Sequence, residues 1–323
     1  ILGLFSVAFG LPYFLLWTSL HPIRRKVGTA WIIVFPCVLV LIEWASMWVI
    51  LFPYNQGISQ YEFPPIWQLA SVTGVWGVSY LVLFVNCALG EAIYRHREQR
   101  PIPRLWIGVA VLVPLLIGLW GQRRFDRIEQ ELSEAPTYKI AQLQYADTMS
   151  ERISRPFCEG FNEWVHSTQK IKAGSVDLVV WAEGAVPYAM NAPLPRQPPR
   201  IQGESCSTPQ DPAAIVRKLA VDGNFDMIVG AGSIEPWPMQ PGQTEFSQYN
   251  SMYYIKASGE SLPRYDKMVP LPFGEYIPLS GFFPFIRELI RGPGNFQAGT
   301  EARVFTGTGA RIAAPICYEA ILP

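Results

Sequence analysis

The sequence predicts a membrane α-helical bundle followed by a separate α/β domain. Half of the 323 residues are hydrophobic and only 16% are charged, whereas a soluble domain usually carries about 25% charged residues. Apolar residues concentrate before residue 121 and charged residues after it. From residue 137, short β-rich runs alternate with helical segments, which is typical of an α/β layered domain. We therefore predict a transmembrane region at 1–121, a linker at 122–136 and a second domain at 137–323.

Four apolar runs are candidates for membrane-spanning helices. Trp31–Phe52, Ile66–Ile93 and Leu105–Trp120 are each near the roughly 17–25 residues that a helix needs to cross hydrocarbon. Soluble cores rarely contain several runs of this length, which disfavours buried helices of a soluble protein. Ile1–Leu20 is the fourth candidate. It has no initiating Met and no charged segment before it, so it fits a cleaved signal peptide poorly.

The charges of the connecting loops predict the orientation of these spans. Arginine and lysine residues lie in the links at 21–28 and 94–104, whereas Pro53–Pro65 contains neither. Positively charged loops stay in the cytoplasm. We therefore expect the loop at 53–65, and the domain after Trp120, to lie on the extracytoplasmic side.

Short apolar runs define the second domain. The predicted strands are Tyr138–Tyr145, Val176–Trp181, Phe225–Gly230 and Arg311–Ile316, and a hairpin is predicted from Tyr249–Lys256 and Ser261–Lys267. Nearly continuous apolar character in VDLVVW and FDMIVG indicates strands that are covered on both faces. Helices are predicted at Phe157–Lys172 and at Asp211–Val221, where Asp211 is the expected N-cap. The proline-rich stretch Pro187–Pro212 is predicted to be a long loop.

Three residues that could perform chemistry follow predicted strands: Glu183, Lys267 and Cys317. Functional groups collect at the carboxyl ends of strands in open α/β sheets. A thiolate is a nucleophile, a carboxylate can take its proton, and an ammonium group can stabilise an oxyanion. Taken singly, each residue has a structural alternative, because free cysteines are often small buried hydrophobes and lysine stems pack on surfaces. Together these residue types suit acyl transfer.

The segments around these residues resemble a known superfamily. WAEGAVP, YDKMVPLPFGEYIP and ICYE, in that order, are similar to the motifs of the nitrilase (carbon-nitrogen hydrolase) superfamily. LIEWASMW, FPYNQGISQY and QLASVTGVWGVSYLVLFVN, within residues 41–85, resemble the apolipoprotein N-acyltransferase family of that superfamily. The resemblance runs from about residue 30 to the end of the chain. It implies a nitrilase-like αββα sandwich for the second domain.

The resemblance also implies an activity and its residues. Glu183, Lys267 and Cys317 would form the catalytic triad, with Glu275, Tyr318 and Glu319 supporting them. The enzyme would transfer an acyl chain from a membrane phospholipid, through a cysteine thioester, to the α-amine of diacylglyceryl-cysteine in an apolipoprotein. The family implies a multi-pass protein of the bacterial inner membrane with its catalytic domain in the periplasm. We expect a monomer.

The sequence departs from the family pattern in two respects. The family usually has Pro-Glu-Thr or Pro-Glu-Ser at the first motif, whereas Ala182 and Gly184 flank Glu183 here. A nitrilase domain also continues well past its cysteine, and the family ends with a further membrane span, so the chain resembles a fragment lacking both ends. Two alternatives stay open: a membrane-anchored amidase that hydrolyses a small amide, and a non-catalytic membrane scaffold.

Other reactive residues and compositional features carry weaker signals. Cys158 and Cys206 are expected in a compartment that permits disulfides, but the sequence gives no geometry for a bond between them. Glu43 lies within a span, where an ionisable group is a functional hypothesis by default and a helix-packing hydrogen bond is the alternative. The three histidines are scattered, so we expect no metal site, and no glycine-rich segment predicts a cofactor site. The net charge is zero, which gives no field for nucleic acid.

Overall fold

A computed structural model describes residues 2–49, 55–145, 156–191, 211–236, 246–277, 280–281, 285, 296–307 and 309–322. The chain forms two compact units that divide between Ala135 and Pro136. We call residues 1–135 the helical unit and residues 136–322 the α/β unit. The predicted order, apolar helices followed by an α/β domain, is confirmed.

The helical unit contains five α-helices in its described residues. They are α1 (Leu2–Val27), α2 (Trp31–Val49), α3 (Pro64–Trp67), α4 (Ala70–Arg97) and α5 (Arg104–Glu134), with 3-10 helices at Gly28–Ala30 and Gln56–Gln60. Three described segments are long and apolar enough to cross a membrane: Pro22–Ser46, Ala70–Arg97 and Arg104–Glu134. Several side chains of the expected span Ile1–Leu20 lie outside the described residues, so that span stays a prediction. Residues 122–134 of the expected linker belong to α5.

Aromatic and aliphatic side chains of α1, α2, α4 and α5 form the core of the helical unit. Its buried members include Trp31, Ile32, Phe35, Phe84 and Ala88. Trp31 meets Phe35 edge-on with 6.0 Å between ring centroids, a favoured geometry for aromatic pairs.

Glu43 connects α2 to the segment that follows it. Its side chain is 1% exposed, and the Gln56 N–H donates to its Oε1 at 2.9 Å. The Gly57 N–H donates to Ser79 Oγ at 2.8 Å, which fixes the same segment to α4. The described contacts of Glu43 are thus those of a packing residue, and a chemical role for it stays a prediction.

A six-stranded mixed sheet forms the centre of the α/β unit. Its strands are β1 (Ile140–Leu143), β2 (Leu178–Trp181), β3 (Val186–Ala189), β4 (Asp226–Pro236), β5 (Phe246–Ile255) and β6 (Tyr265–Asp266). The order is β1-β2-β4-β5-β6, with β3 also paired to β4. β1, β2 and β4 run parallel, whereas β4, β5 and β6 are antiparallel. The other elements are α6 (Phe157–Gln169), α7 (Pro212–Gly223), and the antiparallel pair β7 (Val304–Thr306) and β8 (Arg311–Ala313).

The two central strands have the burial that their sequences predict. In β2, Val179 and Trp181 belong to one buried cluster and Leu178 to another, so the strand is covered on both faces. The predicted cap of α7 is also present, because the Ala214 N–H donates to Asp211 Oδ1 at 2.8 Å.

Three predicted segments differ from the structure, each at a proline. β3 overlaps the start of the stretch predicted as a loop at Pro187–Pro212; among the described strands it pairs only with β4, and such edge positions tolerate proline. The strand predicted at Ser261–Lys267 is reduced to β6, downstream of Pro263. The strand predicted at Arg311–Ile316 ends at Ala313, before Pro315. It pairs with β7 in a second sheet, so Cys317 does not follow a strand of the main sheet.

Candidate active site

Glu183 lies just after the carboxyl end of β2, where the chain turns. The Ala185 N–H donates to the Ala182 carbonyl at 3.2 Å, and Gly184 has a φ of 65°, a conformation that glycine adopts without steric cost. Gly230 of β4 allows the close approach, because a Cβ there would lie 2.7 Å from Glu183 Cα. The turn therefore places the carboxylate at the edge of the sheet, with 35% of its side chain exposed.

Lys267 follows β6, and its backbone is held on both sides. Its N–H donates to the Asn250 carbonyl at 2.8 Å, and its carbonyl accepts from the Gly299 N–H at 2.7 Å. Its side chain is only 2% exposed. A lysine this deeply buried requires partners for its charge.

Two carboxylates supply those partners. Lys267 Nζ lies 2.7 Å from Glu275 Oε2 and 3.7 Å from Glu183 Oε1. Asn250 Nδ2 donates to Glu183 Oε1 at 2.5 Å and to Glu275 Oε1 at 2.7 Å. One ammonium and two carboxylates thus form a connected cluster whose formal charge is negative. We call Glu183, Asn250, Lys267 and Glu275 the lysine cluster.

Glu275 also organises the turn on which it lies. The Leu271 N–H donates to Glu275 Oε2 at 2.6 Å, and the Glu275 N–H returns a bond to the Leu271 carbonyl at 2.7 Å. The same carboxylate therefore orients Lys267 and the segment that follows it. The supporting role expected for Glu275 stays a prediction.

Cys317 begins the 3-10 helix Cys317–Ile321 with a φ of 50°. Non-glycine residues rarely adopt this left-handed conformation, and where they do it often marks a functional site. The residue itself is exposed. Partial burial of the sulfur is nevertheless the largest cause that raises the pKa of the thiol, followed by the charge of Glu183 and a hydrogen bond to it.

Two groups act on the Cys317 thiol in the opposite direction. The Lys267 ammonium and the Tyr318 backbone N–H each lower its pKa, although the net shift is upward. A raised pKa keeps the resting sulfur protonated, so a base is needed to form the thiolate. Among the groups that raise this pKa, Glu183 is the carboxylate.

Glu319 joins the cysteine turn to the lysine segment. Its Oε2 accepts from the Ile316 N–H at 2.8 Å, and its Oε1 accepts from the Tyr265 hydroxyl and the Met268 N–H, each at 2.7 Å. Tyr318 is 7% exposed, and burial raises the pKa of its hydroxyl. The structure thus brings Glu183, Lys267, Cys317 and Glu275 together, with Glu319 one layer behind them.

Asn250 was not predicted from the sequence. It lies within β5, opposite Gly232, and connects the two carboxylates. An amide within a β-strand, as in QYNSMYYI, is the signal that could have indicated it, because polar side chains in a sheet need hydrogen-bond partners where they are covered.

A cavity of about 320 Å³ adjoins Glu183. Its walls include Tyr145, Phe157, Phe161 and Trp164, so an apolar group can bind next to the carboxylate. Among the described residues, no group of three or more His, Cys, Asp and Glu side chains has the arrangement of a metal site. Cys158 is disulfide-bonded, and Cys206 lies outside the described residues.

Comparison with known proteins identifies the family. The family model described as carbon-nitrogen hydrolase matches residues 140–323, and the apolipoprotein N-acyltransferase N-terminal domain matches residues 1–88. The apolipoprotein N-acyltransferase of Geobacter metallireducens is 30% identical over 317 residues, covering 92% of this chain and 53% of that protein. The protein of the same name from Brucella melitensis is 28% identical, with coverages of 92% and 53%. The chain thus spans about half the length of these relatives.

Solved structures with similar folds carry related names. A CN-hydrolase superfamily protein from Xanthomonas campestris has a TM-score of 0.35 at 17% identity, covering 58% of this chain and 56% of that one. A carbon-nitrogen hydrolase from Helicobacter pylori has a TM-score of 0.32 at 14% identity, with coverages of 56% and 51%. The family model described as carbon-nitrogen hydrolase matches more than half of the residues of this chain, so the chain belongs to the carbon-nitrogen hydrolase family.

Proposed function

We propose that the whole protein is a membrane N-acyltransferase that uses Cys317 as nucleophile, Glu183 as general base and Lys267 as oxyanion stabiliser. The observation that carries this proposal is the ion pairing of Glu183 with Lys267 in a cluster completed by Asn250 and Glu275, beside the Cys317 thiol, whose pKa Glu183 raises and Lys267 lowers. The relatives named apolipoprotein N-acyltransferase support an apolipoprotein as the acyl acceptor. A membrane phospholipid is the proposed donor.

The first half-reaction forms a thioester. Glu183 takes the proton from Cys317, and the sulfur attacks the carbonyl carbon of a phospholipid ester. The carbonyl electrons move to oxygen, where Lys267 and the Tyr318 N–H stabilise the oxyanion. When the intermediate collapses, the ester C–O bond breaks, Glu183 protonates the departing glycerol oxygen, and a lysophospholipid leaves.

The second half-reaction transfers the chain to an amine. The α-amine of diacylglyceryl-cysteine attacks the thioester carbon, and Glu183 accepts a proton from that amine. The C–S bond then breaks, and the sulfur takes the proton back from Glu183 while the amide departs. Both substrates carry acyl chains, whose removal from hydrocarbon costs about 0.8 kcal/mol per CH₂. A site at the membrane surface avoids that cost.

The three apolar helices support a membrane location. The arginine-rich links at 21–28 and 94–104 support cytoplasmic placement of that end of the helices, with the α/β unit on the periplasmic side of the bacterial inner membrane.

Thioester trapping tests the proposal directly. The whole protein, reconstituted with phospholipid labelled in its acyl chains, should acquire label that hydroxylamine removes. A diacylglyceryl-cysteine peptide should discharge the label into an amide. Cys317→Ser should acquire no such label, whereas Cys37→Ser, a matched change within α2, should behave as wild type. Label that persists in Cys317→Ser would exclude Cys317 as nucleophile.

The family assignment favours a second candidate, hydrolysis of a small amide by the same residues. Water would then be the acceptor. A soluble amide should be cleaved in detergent without phospholipid, and the lipid label should not accumulate. If Cys317 in the whole protein neither acquires label nor cleaves an amide, a non-catalytic scaffold becomes the better interpretation.

A further inference from the structure

A cavity of about 280 Å³ in the helical unit is lined mainly by arginines. Arg24 and Arg25 come from the end of α1, Arg95 from α4 and Arg100 from the segment after it. The lining contains one acidic residue, Glu91, so four guanidinium groups and one carboxylate leave three net positive charges. Arg25 and Arg100 are exposed and have no ion pair with any residue that the structure describes.

The cavity is rigidly built around Glu91, which is 2% exposed. Arg24 Nη2 lies 2.7 Å from Glu91 Oε2, and Arg95 Nε lies 2.6 Å from Oε1. The Arg24 guanidinium also stacks 3.7 Å from the centroid of the Tyr94 ring. These contacts fix two guanidinium groups while the two exposed arginines stay available, an arrangement that preorganises a site for a phosphate group.

The helical unit also has an apolar cavity of about 640 Å³. Its lining includes Leu16, Leu20, Phe35 and Gly90, from α1, α2 and α4. Trp31 connects the two cavities, because its ring lines the apolar one and its Nε1 donates to Glu91 at 2.8 Å. Along α4, Gly90 of the apolar cavity is followed directly by Glu91 of the arginine cavity.

We propose that these two cavities together bind one anionic phospholipid. Its phosphate diester contacts Arg25 and Arg100, and one acyl chain lies in the apolar cavity. An anionic headgroup fits because the net charge is positive and the arginines lie at the end of the helices with the basic links, where basic pockets between transmembrane helices favour acidic lipids. The lipid is bound and not consumed, so the proposal is independent of acyl transfer by the α/β unit.

Native mass spectrometry of the whole protein tests the charge requirement. The probes are phosphatidylglycerol, phosphatidylcholine and soluble glycerol phosphate. Wild type should retain one phosphatidylglycerol in preference to phosphatidylcholine, and glycerol phosphate at equal concentration should not displace it. Arg25→Gln combined with Arg100→Gln should weaken retention roughly 25-fold, taking about fivefold per arginine near a lipid surface.

The charge-matched control changes the opposite end of α5. Arg123→Gln combined with Arg127→Gln removes two exposed arginines and should leave retention unchanged. If both double variants lost phosphatidylglycerol retention equally, the effect would come from positive charge in general, and the proposed binding site would be refuted. Retention of phosphatidylcholine equal to that of phosphatidylglycerol would overturn the headgroup assignment.

Filling the apolar cavity tests the acyl-chain contact. Gly90→Leu should lower phosphatidylglycerol retention by about tenfold, whereas Gly108→Leu on α5 should not. A Cβ at either glycine would meet no heavy atom within 4 Å, so neither change strains the helix. If wild type retained no lipid, another segment of the whole protein would fill the cavities. If glycerol phosphate displaced the lipid freely, the ligand would be a soluble phosphate. Either result would refute the proposal.

Discussion

The two units each contain a buried charge cluster, and the clusters have opposite composition. In the α/β unit, one ammonium group, Lys267, lies between the carboxylates of Glu183 and Glu275. In the helical unit, one carboxylate, Glu91, lies between the guanidinium groups of Arg24 and Arg95. Both central residues are 2% exposed. A buried charge of either sign needs partners, so burial alone does not distinguish a reactive cluster from a structural one.

The distances within the clusters do distinguish them. Both arginines contact Glu91 at 2.6–2.7 Å, and no cysteine lines that cavity. In the lysine cluster, Glu275 is held at 2.7 Å, but Glu183 lies 3.7 Å from the ammonium and is one-third exposed. Glu183, the carboxylate farther from the ammonium, also accepts from Asn250, and its charge is the one that raises the pKa of the Cys317 thiol. We infer that a weakly paired member beside a nucleophile marks the reactive cluster.

Removing the central ammonium should produce the largest effect. Lys267→Met deprives Glu183 and Glu275 of their shared ammonium partner and removes the proposed oxyanion donor, so acyl transfer should fall by about 10³-fold. Loss of the ammonium should also raise the pKa of Cys317 further, because Lys267 lowers it. The thioester assay measures the first effect. Lys256→Met, which removes only an exposed i,i+4 pair with Glu260, is the control, and a transfer rate near wild type in Lys267→Met would contradict the proposed role.

Neutralising Glu183 should distinguish its effect as a charge on the Cys317 pKa from its proposed role as the base in acyl transfer. The Glu183 charge raises the pKa of Cys317, so Glu183→Gln should lower that pKa, and the thiolate should form at a lower pH. The midpoint of the pH profile for alkylation by iodoacetamide should therefore move downward, while acyl transfer is lost with the base. Glu301→Gln, in an exposed pair with Arg303, should change neither. An upward or unchanged midpoint would show that Glu183 does not act on this thiol.

Gly230 offers a way to disturb the reactive cluster without changing a charge. A Cβ at Gly230 would lie 2.5 Å from the Ala182 carbonyl oxygen, whereas at Gly232 of the same strand it would meet nothing within 4 Å. Gly230→Ala must therefore shift the turn that bears Glu183, and acyl transfer should fall by about 10²-fold, since misplacement by about 1 Å has that cost. Gly232→Ala should be close to wild type. Equal rates for the two variants would mean that the position of this turn does not limit the reaction.

The residues of the lysine cluster and Cys317 were easier to single out in the sequence than those of the arginine cluster. Short motifs that can be recognised individually contain Glu183, Lys267 and Cys317. The continuous apolar runs of β2 and β4 predicted the strands that position Glu183. Asn250 escaped prediction because its hydrogen bonds join residues 67 and 25 positions away. The left-handed backbone of Cys317 also escaped, because the sequence RIAAPI predicted a strand up to the cysteine.

The arginine cluster was visible in sequence only as loop charge. Arg24 and Arg95 predicted an orientation. Arg95 meets Glu91 four residues away on the same helix, but the contact of Arg24 with Glu91 depends on how α1 and α4 pack, since these two residues are far apart along the chain. Hydrophobic periodicity specifies which faces are buried and not which polar groups meet. The same limit applies to β3, whose pairing with β4 joins segments far apart along the chain.

Neutralising Glu91 should have the smallest effect of these substitutions, a loss of stability with no change at Cys317. It completes the comparison of the two clusters. In Glu91→Gln, the amide oxygen can still accept from Trp31, but two arginines lose their counter-charge. Breaking a fully buried pair costs about 3–5 kcal/mol; because Arg24 and Arg95 are 23% and 26% exposed, we expect a loss of only about 2 kcal/mol in unfolding free energy. Denaturation by sodium dodecyl sulfate in mixed micelles measures that loss, with the exposed Glu98→Gln as control.

The alkylation midpoint of Cys317 should not move in Glu91→Gln, because Glu91 is not among the groups that shift the pKa of the thiol. A shifted midpoint would show that the two clusters are coupled, and the distinction between a structural and a reactive cluster would then fail.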